Sequence, residues 1–261
     1  MKNKPAICLA AIALAAFAAC ADPTRGEAEP FCPESHFLHE LIDGGAAVMI
    51  TGYVGGRTDV RIPPYIQGLP VTAIGNGAFA EITREENEDG FNVITVHDGQ
   101  LASVVIPDGV ARIEMWAFAN NQLASVNIPE GVTYIGFGAF QQNNLTSIII
   151  PDSVTYLGEK AFWVNQLTSV TIGNGVVAIN GGVFAFNQLA CITIPDSVMG
   201  IGLAAFANNQ IYNITIPDSV IIIWHNAFLN NKLSSVFIPN AEAYVSPSAF
   251  DIDVTITIGA D

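Results

Sequence analysis

Between Leu101 and Pro239, apolar and polar positions recur in one order: Ile-Pro-Asp-x-Val-x-x-Ile-Gly-x-x-Ala-Phe-x-x-Asn-Gln-Leu-x-Ser-Val-x. The Pro-like position falls at Pro107, Pro129, Pro151, Gly173, Pro195, Pro217 and Pro239, a step of 22 residues. The aromatic position keeps that step at Phe118, Phe140, Phe162, Phe184, Phe206, Phe228 and Phe250. A fixed period of about 20–50 residues marks a solenoid, in which each coil buries its apolar side against the next. The pattern predicts one right-handed solenoid with a parallel sheet on one face.

Within a coil, Val126 and Ile128 alternate with Ser125 and Asn127, the period of a strand buried on one side. Pro129 ends that strand because it has no N–H for a ladder. Val132 and Ile135 point inward again, Gly136 permits a bend, and Ala139-Phe140 closes the coil. So short a return leaves no room for a full helix, so short strands, 3₁₀ turns or irregular backbone are expected there. Three residues beyond each Phe stands an Asn: Asn121, Asn143, Asn165, Asn187, Asn209 and Asn231. An Asn amide donates and accepts at once, so a stack of them suits backbone groups left unpaired inside a turn.

The pattern frays at both ends. Ala47–Tyr53 and Asp59–Ile62, separated by Gly55-Gly56, read as a hairpin that covers the first coil. A longer first repeat begins at Ile62 and rejoins the pattern at Ile74-Gly75 and Ala78-Phe79. From Phe79 to Pro107 is 28 residues where later repeats use 11, which leaves 17 inserted residues. The charged insertion, 81–99, must loop out from one face, with Phe91–Val96 as a candidate strand. The coil after Phe250 is abbreviated. The domain reading is a signal segment at 1–20, a tether at 21–34, a cap at 35–61 and a solenoid at 62–261.

Charge narrows the partner classes. With 24 acidic against 9 basic residues the chain carries a net charge of −15. That field repels phosphate backbones, so nucleic acid is excluded as a partner. Only four cysteines are present, and no disulfide framework is expected. Cys191 stands where other repeats have Ser and reads as a packed or surface thiol.

Lys2 and Lys4 precede an apolar run, Ile7–Ala19, too short for a comfortable membrane span but suited to a secretory signal. Phe17-Ala18-Ala19-Cys20 looks like a bacterial lipobox, with Phe at the place where Leu is usual. Lipidation at Cys20 is the reading taken, with ordinary cleavage after Ala18 or Ala21 as its alternative. Either way the protein is expected to be exported to the cell envelope or outer surface.

From about Ile62 to Ile258 the repeats, with Asn-Gln-Leu before the strand, resemble the BspA-like leucine-rich-repeat family of bacterial surface proteins. Thr51-Gly52-Tyr53 and Pro63-Pro64-Tyr65-Ile66-Gln67-Gly68-Leu69-Pro70-Val71 are similar too. The resemblance implies a curved solenoid of leucine-rich-repeat type, and also implies surface display and adhesion to host proteins or other cells. It brings no catalytic motif.

The residues themselves point the same way. No Gly-x-Ser-x-Gly, phosphate loop or paired-carboxylate motif is present, so an enzyme and a cofactor are not expected. His36-Phe37-Leu38-His39-Glu40 lacks the His-Glu-x-x-His order of a zinc site. Asp108, Glu130, Asp152, Asp196 and Asp218 recur once per repeat, as turn chemistry would place them. The candidate binding surface is the outward side of the strands, Ser125, Asn127, Ser147, Ile149, Ser169, Thr171, Thr193 and Thr215, which bears no charge. The six Asn residues are expected to be structural. The expected protein is a monomeric, exported, lipid-anchored module that binds host matrix or cell-surface proteins. A structural envelope scaffold is the alternative.

Overall fold

A computed structural model of the chain describes residues 30–86, 92–97 and 99–259. Cys20, the expected signal segment and most of the expected tether lie outside the described residues.

The chain winds as a β-solenoid, and most coils lay down two strands of unequal width. The wider strand is the Ser-Val-x-Ile stretch. Asp59–Arg61 pairs with Ser103–Val105, Ser147–Ile150 with Ser169–Ile172, Cys191–Thr193 with Asn213–Thr215, and Ser235–Ile238 with Thr255–Ile258, all parallel. The register advances by one repeat, so Ser147 faces Ser169 and Ile148 faces Val170. These pairs form a row of separate two-stranded segments rather than the single sheet expected. Proline follows most of these strands and ends them, since it has no N–H for a further ladder bond.

The narrower strand is the x-Ile pair that follows the turn. Ala47–Tyr53, Leu69–Ile74, Arg112–Ile113, Tyr134–Ile135 and Tyr156–Leu157 run as one parallel ladder. Ala178–Ile179, Gly200–Ile201, Ile222–Ile223 and Tyr244–Val245 form its continuation. A third row of coil-to-coil bonds follows the Ala-Phe arc, where Phe118 N–H donates to Ala139 C=O at 2.8 Å and Phe140 to Ala161 at 2.8 Å. Backbone groups that no strand pairs are thus satisfied by the neighbouring coil.

The arc can turn because two residues in each coil from Trp116 to Asn230 are left-handed. One set includes Trp116, Lys160, Ala204 and Asn226, and the other Asn120, Gln142, Val164, Phe186, Asn208 and Asn230. Gly136 serves another purpose than the bend expected of it. Its φ is ordinary, and a Cβ there would lie 2.6 Å from the amide nitrogen of Met115, so glycine allows two coils to approach.

The core runs unbroken along the axis. Phe79, Phe118, Phe140, Phe162, Phe184, Phe206, Phe228 and Phe250 stack face to face with centroids 5.0 to 5.9 Å apart. Tyr53 extends the stack beyond Phe79 at 5.7 Å, and Phe37 packs on Tyr53 at 5.3 Å.

The N-terminal hairpin differs from the one expected. Phe37–Ile42 pairs antiparallel with Ala47–Tyr53, whereas Asp59–Arg61 has already joined the wide row. This pairing buries Phe37, Val48 and Ile50 over the first coil. A second antiparallel contact, Tyr65–Ile66 with Leu69–Ile74, turns through Gln67 and Gly68, both at positive φ. The insertion contains paired strands, Glu81–Glu86 antiparallel to Asn92–His97.

Candidate protein-binding surface

The inner corner of each coil fixes where its outer residues stand. Each ladder Asn reaches back to the preceding coil. Its Oδ1 accepts the backbone N–H of Leu101, Leu123, Leu145, Leu167, Leu189 or Ile211 at 2.9 to 3.1 Å. Its Nδ2 donates to the Phe carbonyl of that coil at 2.8 to 3.0 Å and to that of its own coil at 2.9 to 3.2 Å. One amide thereby satisfies three backbone groups, and Asn121, Asn143, Asn165, Asn187 and Asn209 are buried while doing so. These groups are fully engaged with backbone and have nothing to offer a ligand. Gly99 passes so close to Asn121 that a Cβ there would collide with its Oδ1.

The wide face carries the residues nominated from the sequence. Ser125, Asn127, Ser147, Ile149, Thr171, Thr193 and Thr215 are exposed and Ser169 is half-buried, while Val126, Ile128, Ile148, Ile150 and Ile192 between them are buried. Residues 125–128 lie in the row without strand pairing. Val105 and Phe237 are exposed at the two ends of the same row. From Ser103 to Phe237 the outward positions carry no ionisable carboxylate or amine.

The carboxylates sit on the adjoining turns. Val110, Val132, Val154, Val198 and Val220 each donate N–H to the Pro carbonyl three residues back at 3.0 to 3.2 Å, which closes the turn. Asp108, Glu130, Asp152, Asp196 and Asp218 are exposed there. The turn serine has a role that sequence reading missed: Ser153, Ser197 and Ser219 donate Oγ–H to a carbonyl of the preceding coil at 2.7 to 2.8 Å. Its recurrence beside the aspartate was the available signal.

The loop aromatics Trp116, Phe137, Trp163 and Phe186 pair with one another across neighbouring coils. Trp116 packs edge-on against Phe137 and Trp163 against Phe186, each at 5.9 Å. On the narrow face, Arg112 lies over the Tyr134 ring at 4.1 Å, and Tyr134 stacks on Tyr156 at 4.8 Å. Burial, then the nearby Glu114 and Tyr156, push the Tyr134 phenol above its ordinary pKa, against the opposing pull of Arg112.

Cys32 is buried and free. His39 Nδ1 lies 3.2 Å from the Phe37 carbonyl. Among the described residues no group of His, Cys, Asp and Glu is placed to hold a metal ion, and no helix is long and apolar enough to cross a membrane.

A solenoid of short parallel strands, bound by an asparagine ladder and lacking helices in its coils, is a leucine-rich-repeat architecture. The model of the BspA type leucine rich repeat region matches residues 96–212 and 179–257 with six copies, more than half of the chain, and the chain belongs to that family. A leucine-rich repeat protein from Bacteroides ovatus is similar in structure, with TM-score 0.58 and 21% identity over 86% of this chain. The match spans 66% of that protein, just under two thirds of its length. A Treponema pallidum leucine rich repeat protein has TM-score 0.48 and 23% identity over 69% of this chain and 89% of its own. A leucine rich cell surface protein from Faecalibacterium prausnitzii has TM-score 0.36 and 20% identity over 88% of each chain. Only the first of these likenesses bears on the fold. No curated protein matches the chain.

Proposed function

We propose that the chain is a non-catalytic protein-binding module, exported and displayed at the cell surface on a lipid at Cys20, that adheres to host matrix or neighbouring-cell proteins. Membership of the BspA-type repeat family supports the interaction role. The observation that carries it is the wide face from Ser103 to Phe237, whose outward positions carry no charge in a chain of net charge −15. Small hydroxyl side chains on a rigid row are cheap to desolvate, and Ile149 and Phe237 add apolar anchors of the kind found in interface centres.

The test is binding of the exported chain to immobilised matrix and cell-surface proteins. Thr171→Arg with Thr193→Arg should abolish capture while leaving circular dichroism and melting temperature nearly unchanged. Capture that survives this change but is lost on deletion of 81–89 would reject the wide face. The anchor is read separately by mass spectrometry of the mature N-terminus, where an unmodified start at Ala19 or Asp22 would reject lipidation.

A further inference from the structure

The narrow face changes character along the axis. At the position just before its strand, the earlier coils carry Ala111, which is half-buried, and Thr133 and Thr155, which are exposed. The following coils carry Val177, Met199 and Ile221 at the same position, and they are 53, 51 and 49% exposed. Backbone bonds place the three one above another: Met199 N–H donates to Val177 C=O and Ile221 N–H to Met199 C=O, both at 2.9 Å. Trp224 and Tyr244 are exposed beside them and meet edge-on at 6.3 Å, and Leu203 is exposed nearby in sequence. Ala178 and Gly200 are small, so the row is flanked by little that would shield it.

The fold does not require these residues, since Ala and Thr fill the position in other coils with the same backbone pairing. An aligned apolar row left in water is the mark of an interaction surface. Its rim is negative. The turns leading to Met199 and Ile221 carry exposed Asp196 and Asp218, and the turn leading to Val177 carries Asn174, hydrogen-bonded to Asp152. Between Lys160 and Lys232 there is no Lys or Arg. A second copy of the chain would bring one acidic rim against another, so self-association is disfavoured.

We infer that the Val177–Met199–Ile221 row is a second docking surface, for a protein segment that presents apolar residues flanked by Lys or Arg. It is independent of the wide face. The probe is a synthetic amphipathic Leu/Lys peptide added to the full chain, with Trp224 fluorescence and peptide anisotropy as readouts. A Leu/Glu peptide and a Ser/Lys peptide separate charge from apolar contact. The Leu/Lys peptide should bind, and Met199→Thr with Ile221→Thr, residues the coils at Thr133 and Thr155 already accommodate, should weaken it at least about tenfold, the scale of losing apolar anchors. Thr171→Arg with Thr193→Arg should leave this binding unchanged, which keeps it distinct from the adhesive reading. Equal binding by the threonine variant, by Leu/Glu or by Ser/Lys would overturn the inference. So would failure of the Leu/Lys peptide to bind, or a dimer in sedimentation that the threonine variant abolishes.

Discussion

The inner corner of the coils and their outer strips are built under opposite rules. At the corner the same Phe and Asn recur from Phe118 to Asn231 without exception, each making the same bonds to the coil before. On the outer strips, the position of Thr133 becomes Met199 and the position of Arg112 becomes Gly200, with no change in backbone pairing. The difference separates what the fold demands from what it tolerates. A side chain that must satisfy two coils at once has one solution, whereas one facing water has many.

The comparison breaks most visibly at the aromatic stack. Phe162→Ala should lower the unfolding free energy by about 3–5 kcal/mol, because the cavity would be closed in by Phe140 and Phe184. Asn165→Ala should cost about 1–3 kcal/mol, since the Leu145 N–H and the Phe140 and Phe162 carbonyls lose their partner in a buried place. Asn231→Ala should cost less, because that site is only half-buried and water can replace the amide. Denaturant unfolding of the full chain measures all three.

The corner was legible in the sequence because its demands repeat every coil. The period located the wide strands, the alternation located their buried side, and the amide chemistry of Asn explained its recurrence. The narrow ladder was harder to see, since a strand of two residues such as Tyr134–Ile135 shows no alternation. The partner of Asp59–Arg61 was misassigned for the same reason: three residues specify a strand but not what it pairs with. Phe37–Ile42, with Leu38 and Leu41 exposed, gave little sign of the hairpin that it completes. The left-handed positions were hidden because Trp116, Lys160 and Val164 are not residues that advertise positive φ.

That last group sharpens the comparison from the other side. Val164 has φ of 53° where Asn120, Asn208 and Asn230 occupy the equivalent place. Val164→Asn should stabilise the chain by about 1 kcal/mol, the scale of left-handed strain in a branched residue, seen as a higher melting temperature. The smallest effect concerns Tyr134. Its raised pKa means that folding favours the protonated phenol, so the contribution is intact below the ordinary value of 10.0 and is lost as pH rises through the higher folded value. Ultraviolet tyrosinate titration against Tyr134→Phe should show one phenol ionising late.

The division between a fixed corner and free strips is tested most directly by one paired unfolding measurement on the full chain. Asn165→Ala should lose about 1–3 kcal/mol, while Val177→Thr, Met199→Thr and Ile221→Thr combined should stay within about 0.5 kcal/mol per site of the parent. A triple variant destabilised by clearly more than about 0.5 kcal/mol per site would contradict the account, because the apolar row would then belong to the fold rather than to a partner.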